Sequence, residues 1–257
     1  MAFDPFALPL AFYLVTGFAV LITGLSKSGF GGGLGVAAVP LISLFVAPQL
    51  AVAVMMPVLL VMDIVLVWQF RHSWNRQVVA QLLPGAFVGL ALGAVAFEWT
   101  NAAMVKLLIG VLALSFVAQQ AWKAVRKDAP RPAAPATVFS LGALSGFGSY
   151  VAHAGGPPVK GVLLQQQLEK SIFVGTNTMF FFTMNALKTV SYTATGHLTT
   201  QSLIVSLIVA PMLVLGLLLG TWAHRRVDQA IFMRIVYGFL SLAGAKLLWD
   251  GVWELVG

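Results

Sequence analysis

The sequence predicts an all-α integral membrane protein with two inverted five-segment repeats, whose broken or re-entrant short helices meet near the bilayer midplane. Three observations predict this class: an apolar composition, the placement of basic residues, and motifs that recur in both halves. Hydrophobic residues make up 59% of the 257 residues and charged residues only 9%. Soluble domains carry roughly a quarter charged residues. This chain therefore has too little polar surface for water and is expected to lie in a lipid bilayer.

The membrane segments follow from length and apolar character. A spanning helix needs roughly 20 predominantly apolar residues. Eight candidates are residues 8–25, 50–70, 78–97, 102–122, 137–152, 171–192, 200–222 and 230–252. Two further apolar pieces, 33–47 and 157–168, are too short to span unaided, and each follows a glycine-rich break. The N-terminus lacks a basic region and a small-residue cleavage site, so it is interpreted as a first membrane helix and not as a removed signal.

Basic residues indicate which connections face the cytoplasm, because cytoplasmic loops retain lysine and arginine. The basic connections are 71–76, 123–131 and 224–228, whereas those near Glu98, at 193–201 and at the C-terminus are poor in basic residues. When these three basic connections are placed in the cytoplasm, the N-terminus lies on the outer side of the membrane. The piece 157–168 must then return the chain across the membrane or form the second arm of a re-entrant hairpin. By the same logic, 33–47 pairs with 8–25.

Short motifs recur in order in the two halves. Ser28-Gly-Phe-Gly recurs as Ser145-Gly-Phe-Gly; Pro84, Gly89 and Gly93 recur as Pro211, Gly216 and Gly220; Lys106 and Gly110 recur as Arg234 and Gly238. The predicted units are an N-terminal repeat at 1–127, a cytoplasmic linker at 128–136 and a C-terminal repeat at 137–257. Because five segments is an odd number, the halves have opposite orientations in the membrane, as in many secondary transporters.

The glycine-rich breaks predict a binding site for an anion. Backbone groups cannot stay unsatisfied in lipid, so a helix broken at membrane depth must face protein or a polar cavity. The breaks are SKSGFGGG in the first half and HAGGPPVK in the second. Free N–H groups at a helix start bind anions, and proline is suited to the first turn. Small residues also permit close helix packing, which accounts for Gly89, Gly93, Gly216 and Gly220 better than for these breaks.

Ionisable residues inside the membrane are expensive and are candidates for function. The predicted substrate-binding residues are Lys27, Ser28, Gly31, Gly32, Gly33, His153, Gly155, Gly156, Thr176, Asn177, Asn185 and Lys188. His153 and Asp63 are candidate coupling residues, since histidine exchanges protons near physiological pH. Asp63 is equally a candidate salt-bridge partner for Lys27 or Lys188.

Other classes of function are disfavoured by what the sequence lacks. It has no cysteine, which excludes disulfides, thiolate metal sites and thiol catalysis. The net charge of +7 does not indicate nucleic-acid binding, because no basic run interleaved with aromatic residues occurs. Ser-His-Asp, HExxH and DxxD patterns are absent, so no enzyme activity, catalytic residue, metal or cofactor is predicted. The same absences and the few, scattered carboxylates also disfavour the alternative of a membrane enzyme or insertion factor.

Two stretches resemble the signature regions of a known family. They are GLSKSGFGGGLGVAAVPLISLFVAP and GFGSYVAHAGGPPVKGVLLQQQLEKSIFVGTNTMFFFTMNALK. They resemble the TauE/SafE sulfite exporter family, and the likeness runs over essentially the whole chain. The resemblance implies a multi-pass bacterial inner-membrane protein with duplicated halves. It also implies export of sulfite or small organosulfonates, or uptake of related sulfur anions and carboxylates.

The predicted function is transport of a small sulfur-containing oxyanion by alternating access, with protons as the candidate coupling ion and lipid as the surroundings. The alternatives are an anion channel with the same site, or a transporter of another small anion such as a carboxylate. The sequence leaves open the anion, the direction of transport, the coupling ion and the oligomeric state.

Overall fold

A computed structural model describes residues 4–30, 35–125, 134–223 and 229–256. All regular structure in these ranges is helical, without strands, which confirms the predicted all-α class. The helices are α1 (Leu10–Phe30), α2 (Ala38–Ile42), α3 (Pro48–Phe70), α4 (Arg76–Trp99), α5 (Ala102–Val125), α6 (Pro135–Ala152), α7 (Gly156–Gln165), α8 (Lys170–Ala194), α9 (Thr200–Ala223) and α10 (Gln229–Val256). Two 3-10 turns, Pro5–Ala7 and Gly35–Ala37, lie before α1 and α2.

Five of the described helices are long and apolar enough to cross a membrane, namely α1, α3, α4, α5 and α9. Their outer faces carry large exposed apolar side chains such as Trp68, Leu92 and Leu207. A contiguous apolar surface of this kind is unfavourable in water and suits contact with lipid. Helix α8, also expected to span, is less apolar because it carries Asn177, Asn185 and Lys188, all of which the fold buries.

Two pairs of parallel helices pack through glycines. In the α1–α9 pair, a Cβ atom added to Gly216 would lie 2.5 Å from the Leu21 carbonyl oxygen. In the α4–α6 pair, a Cβ atom on Gly89 would lie 1.8 Å from the Ala143 carbonyl oxygen. Side chains at these positions would force the helices apart, so glycine is required for the close approach. Helices α3 and α8 pack against each other, with α3 also against α9 and α8 also against α4, and α5 packs on α10.

The contacts between connections define two ends of the bundle. At the Asn75 end, the Asn75 amide donates a hydrogen bond of 2.8 Å to the Thr176 hydroxyl, which joins the start of α4 to the start of α8. At the His197 end, His197 Nε2 lies 2.8 Å from a carboxylate oxygen of Glu98. Lys106 and Glu254 form an ion pair between α5 and α10. The connections near Glu98 and His197 thus lie together, and the connection before α4 lies at the opposite end.

The chain reverses direction between α6 and α7. Helix α6 ends at Ala152, and His153 adopts a left-handed backbone conformation with φ 52° and ψ 27°. The Ser145 hydroxyl donates a 2.7 Å hydrogen bond to the Gly155 carbonyl, which holds the connection between α6 and α7 against α6. Helix α7 then continues for ten residues, too few to cross a bilayer. It ends at Gln165, before the expected limit of 168.

A second short helix follows α1. A Cβ atom on Gly35 would meet the Thr23 side chain at 3.4 Å, so the chain after α1 lies alongside that helix. The helix α2 ends at Ile42, and residues 43–45 form a turn, although the apolar pattern continues to residue 47. Helix α3 begins at Pro48, where proline fits the first turn because its nitrogen needs no partner there.

Candidate functional site

A cavity of about 40 Å³ lies among α1, α3, α8 and the α6–α7 hairpin. It is lined by Lys27, Gly35, Val36, Leu59, Ser149, His153, Gly156, Asn177, Phe181, Asn185 and Lys188. Six of the predicted site residues are in this lining: Lys27, His153, Gly156, Asn177, Asn185 and Lys188. The fold therefore brings together residues from both halves of the chain that lie more than 150 positions apart.

One face of α8 supplies much of the polar lining. Asn177, Phe181, Asn185 and Lys188 follow one another at intervals of four, four and three residues. Residues three and four apart in a helix lie on the same side, so all four side chains point toward the cavity. Asn185 and Lys188 are 2% and 0% exposed, which means that their polar groups contact protein and the cavity, and not lipid.

Asp63 on α3 links α1 to α8. One of its carboxylate oxygens accepts a hydrogen bond from the Lys27 ammonium, and the other accepts one from the Asn185 side-chain amide. The Asp63 side chain is 1% exposed and that of Lys27 15%. Of the two partners predicted for Asp63, the ion pair is formed with Lys27. The negative charge of Asp63 therefore compensates the positive charge of Lys27.

Lys188 is fully buried and contacts neutral groups. Its ammonium donates a 2.9 Å hydrogen bond to the Ser149 carbonyl oxygen and lies 2.8 Å from Nδ1 of His153. Within the part of the chain that the structure describes, no carboxylate lies within ion-pair distance of Lys188. Removing a charge from water costs several kcal/mol unless a partner compensates it. Lys188 thus presents to the cavity an amino group whose hydrogen-bond partners among the described residues are neutral.

His153 connects this ammonium to α3. An ammonium group only donates hydrogen bonds, so His153 Nδ1 must accept from Lys188. The other ring nitrogen, Nε2, lies 3.0 Å from the Val52 carbonyl oxygen, which only accepts. The contacts therefore specify a neutral imidazole with its hydrogen on Nε2. The left-handed backbone of His153 is uncommon outside glycine, and strained residues of this kind cluster at functional sites.

Three predicted site residues have other contacts. The Ser28 hydroxyl donates to the carbonyl oxygens of Gly24 and Leu217, at the α1–α9 interface. Thr176 donates to the Ile172 carbonyl at the Asn75 end. Gly155 lies against α6, where an added Cβ atom would be 2.5 Å from the Ser145 carbonyl oxygen.

The remaining predicted residues concern the glycine-rich breaks. Gly31, Gly32 and Gly33 lie outside the described residues. In the second break, Gly156 lines the cavity at the first position of α7. Pro157 and Pro158 follow it and have no N–H group. This helix start consequently supplies fewer amide donors than an uninterrupted glycine loop.

Several lining residues were not predicted. They are Gly35, Val36, Leu59, Ser149 and Phe181. Ser149 precedes His153 by four residues, and Phe181 lies four residues from both Asn177 and Asn185. The helical spacing of four residues from a polar candidate is the sequence feature that could have identified Ser149 and Phe181. Val36 and Leu59 carry no such signal, since an apolar residue does not stand out in an apolar chain.

Comparison with known proteins identifies the family. A family model described as sulfite exporter TauE/SafE matches residues 16–247. No curated protein and no solved structure matches the chain. The matched region contains all of the residues that line the cavity. The family consists of membrane transporters and not of enzymes. Its members are associated with export of sulfite and related sulfur anions. The chain therefore belongs to the TauE/SafE sulfite exporter family.

Proposed function

We propose that the protein exports sulfite or a small organosulfonate across the bacterial inner membrane by alternating access. The observation that carries this proposal is the fully buried ammonium of Lys188, which points into the cavity without a carboxylate partner among the described residues. An anion in the cavity supplies the missing negative charge. The family match independently supports a sulfur oxyanion as cargo.

The cavity lining offers distinct contributions to anion binding. Lys188 supplies a positive charge without a carboxylate partner among the described residues. Lys27 supplies a second ammonium, which is paired with the Asp63 carboxylate. The amide groups of Asn177 and Asn185 supply hydrogen bonds to anion oxygens. Burying a desolvated oxyanion is costly, and cationic hydrogen-bond donors offset that cost. Because no covalent step is needed, the site requires only that the anion enter from one side and leave toward the other.

The helix pairing supports the inverted repeats, with halves at 1–127 and 137–257 joined by the linker 128–136. Suppose that α1 to α5 correspond in order to α6 to α10, so that α1 matches α6 and α4 matches α9. Exchanging the two halves then converts the α1–α9 pair into the α6–α4 pair. Both pairs are parallel and both pack through glycines. The α3–α8 and α5–α10 pairs map onto themselves. A two-fold axis in the membrane plane, the arrangement found in many transporters, would produce this symmetry of contacts.

The two ends of the bundle support an orientation. Arg71 and Arg76 flank the connection at the Asn75 end, so that end is assigned to the cytoplasm. The α1–α9 pair is parallel and α9 begins next to His197, so α1 also begins at the His197 end. This assignment places the N-terminus in the periplasm.

Proton coupling is assigned to His153. It is faced by Lys188 and Tyr192 on α8, by Lys27 on α1, and by the Val52 carbonyl on α3. A proton on Nδ1 removes the acceptor that Lys188 uses. Lys188 is then released toward an anion in the cavity. Anion occupancy and protonation of His153 are linked through this one contact.

Flux measurements in proteoliposomes test the proposal. We expect efflux of sulfite that saturates with concentration and that changes in rate when a proton gradient is imposed across the membrane. The Lys188→Gln variant, reconstituted at the same density, should lose that flux. Flux that neither saturates nor responds to the gradient would identify an anion channel. Saturable flux of a carboxylate in place of sulfite would assign another small anion as cargo.

A further inference from the structure

A layer of three aromatic side chains lies between the cavity and the His197 end. Phe97 is at the end of α4, Tyr150 on α6 and Tyr192 on α8, and they are 2%, 0% and 0% exposed. On the cavity side, the Tyr192 ring lies 6.4 Å from that of His153. On the outer side, it lies 5.9 Å from that of His197. The layer therefore separates the His153 ring from the His197 ring.

The three rings pack against one another. Tyr150 and Tyr192 meet edge to face with centroids 4.9 Å apart, and Phe97 meets Tyr150 in the same way at 5.9 Å. Phe97 and Tyr192 stack at 6.3 Å with their planes 13° apart. Both geometries are favoured for aromatic pairs. Each ring therefore contacts the other two, as expected of a sealed layer.

The hydroxyl groups of the layer are satisfied within the protein. The Tyr192 hydroxyl donates to the Tyr150 carbonyl, and the Tyr150 hydroxyl shares a 2.9 Å hydrogen bond with the Ser191 hydroxyl. Buried polar groups without partners attract water. Because these two have partners, the layer has no need of water between its rings.

A polar contact covers the outer side of the layer. His197 Nε2 lies 2.8 Å from a carboxylate oxygen of Glu98, and the two side chains are 21% and 39% exposed. The His197 ring also meets the Phe97 ring edge to face at 5.1 Å. This contact joins the end of α4 to the connection after α8. Helices α4 and α6 are held together by their glycine interface, whereas α8 meets them at this end through the rings of Tyr192, Phe97 and Tyr150.

We propose that Phe97, Tyr150 and Tyr192 form the closed gate of the transporter at the His197 end, and that the Glu98–His197 contact is its latch. The inference rests on the proposed transport function. In the present structure the three rings close the path from the cavity to the His197 end. The transport cycle opens this path by separating the outer end of α8 from the α4–α6 pair. Phe97 and Tyr192 then lose their stacking, and the cavity reaches the His197 end.

Thiol labelling tests the gate without any assumption about the cargo. Ser149→Cys introduces one thiol into the cavity wall of this cysteine-free chain, and Thr100→Cys marks the outer side. A membrane-impermeant thiol reagent is added on the side from which Thr100→Cys labels. We expect slow labelling of Ser149→Cys, because the gate is mostly closed.

Weakening the gate should accelerate that labelling. In the Ser149→Cys background, Glu98→Gln should raise the rate by up to about fivefold, the range of a partly exposed polar contact. Phe97→Leu should raise it by up to about tenfold, through lost aromatic contacts. Lys106→Gln breaks the ion pair between α5 and α10 at this end and should leave the rate unchanged. The proposal fails if both gate variants, monodisperse on size exclusion, label at the parental rate. It also fails if Ser149→Cys labels as fast as Thr100→Cys.

Cross-linking adds a functional readout. A short, cleavable bifunctional thiol reagent joins the pair Glu98→Cys and His197→Cys across the latch. Sulfite efflux should stop on cross-linking and return after cleavage. The matched pair Lys106→Cys and Glu254→Cys, joined across α5 and α10, should keep its efflux. Unchanged efflux in the cross-linked latch variant overturns the gate. Absence of sulfite efflux before cross-linking contradicts the proposed cargo, and the labelling result then decides the gate alone.

Discussion

The side-chain nitrogens of Lys188 and His153 lie 2.8 Å apart inside the protein, between α8 and the end of α6. Two basic groups tolerate this distance because the imidazole is neutral and accepts the hydrogen bond. The contact positions the ammonium at the cavity wall, where Ser149 provides a second acceptor. It also leaves the positive charge of Lys188 available to an anion.

Replacing Lys188 by methionine should separate stability from binding. A buried charge without a counter-ion is often destabilising relative to an apolar side chain of similar volume. We expect Lys188→Met to unfold at or above the parental temperature, and to lose the stabilisation that sulfite gives the parent. Thermal unfolding in detergent with and without sulfite measures both. Lys246→Met is the control, since Lys246 is exposed and pairs with Asp250; it should keep the sulfite response.

The Lys27–Asp63 ion pair should behave as a coupled unit. Removing one partner of a buried pair leaves the other charge uncompensated, at a cost of about 3–5 kcal/mol. We expect Asp63→Asn alone to destabilise the protein strongly. The double variant Asp63→Asn/Lys27→Met should recover most of the lost stability. A double-mutant cycle, measured by denaturant or thermal unfolding, gives the interaction free energy between the two side chains. Additive effects of the two substitutions would contradict a direct pair.

The adjacent glycines Gly155 and Gly156 should respond differently to valine. Gly156 lines the cavity, so Gly156→Val should fill part of it and weaken sulfite binding while the protein remains folded. Gly155→Val places its Cβ atom 2.5 Å from the Ser145 carbonyl oxygen and should destabilise the α6–α7 hairpin. Sulfite-dependent thermal shifts and size exclusion distinguish the two outcomes. Normal sulfite binding by folded Gly156→Val would place the anion elsewhere.

His153 should govern the pH dependence of transport more than the affinity for the anion. His153→Gln keeps a hydrogen-bonding side chain that does not titrate. We expect its efflux to vary less with pH than that of the parent, while the sulfite concentration for half-maximal flux changes little. Efflux measured across a pH series in proteoliposomes checks this. His72→Ala, at an exposed residue between α3 and α4, should retain the parental pH profile, and an unaltered profile for His153→Gln would exclude the coupling role.

Single-cysteine labelling tests the topology. Residues 75 and 197 lie at opposite ends of the bundle, and residues 98 and 197 at the same end. We expect Asn75→Cys to label from the cytoplasmic side, and Glu98→Cys and His197→Cys from the periplasmic side. Labelling of residues 75 and 197 from one side would be incompatible with the inverted arrangement.

Composition alone was enough to predict a helical membrane protein. With 59% hydrophobic residues, the chain must satisfy its backbone hydrogen bonds internally, and helices do so locally. The same scarcity of polar residues made the site candidates visible. Lys27, Asp63, Asn185 and Lys188 stand out because ionisable and amide groups are costly at membrane depth.

The partners of those residues depended on the tertiary structure. Asp63 meets Asn185 across 122 residues, and His153 meets Val52 across 101. No local pattern indicates that Asp63 compensates Lys27 and that Lys188 has no carboxylate partner among the described residues. Likewise, two neighbouring glycines are equivalent in sequence, and only the approach of Ser145 assigns Gly155 to packing and Gly156 to the cavity.

The sequence by itself determined the class, the family resemblance and most of the charged residues of the site, because each depends on composition or on local motifs. Only the tertiary structure decided the ion pairing, the apolar lining and the aromatic layer of Phe97, Tyr150 and Tyr192. Those rings come from three helices, and aromatic residues are common in an apolar chain. Their function depends on contact across the bundle, and hydrophobic burial is non-directional, so a linear pattern does not specify which rings meet.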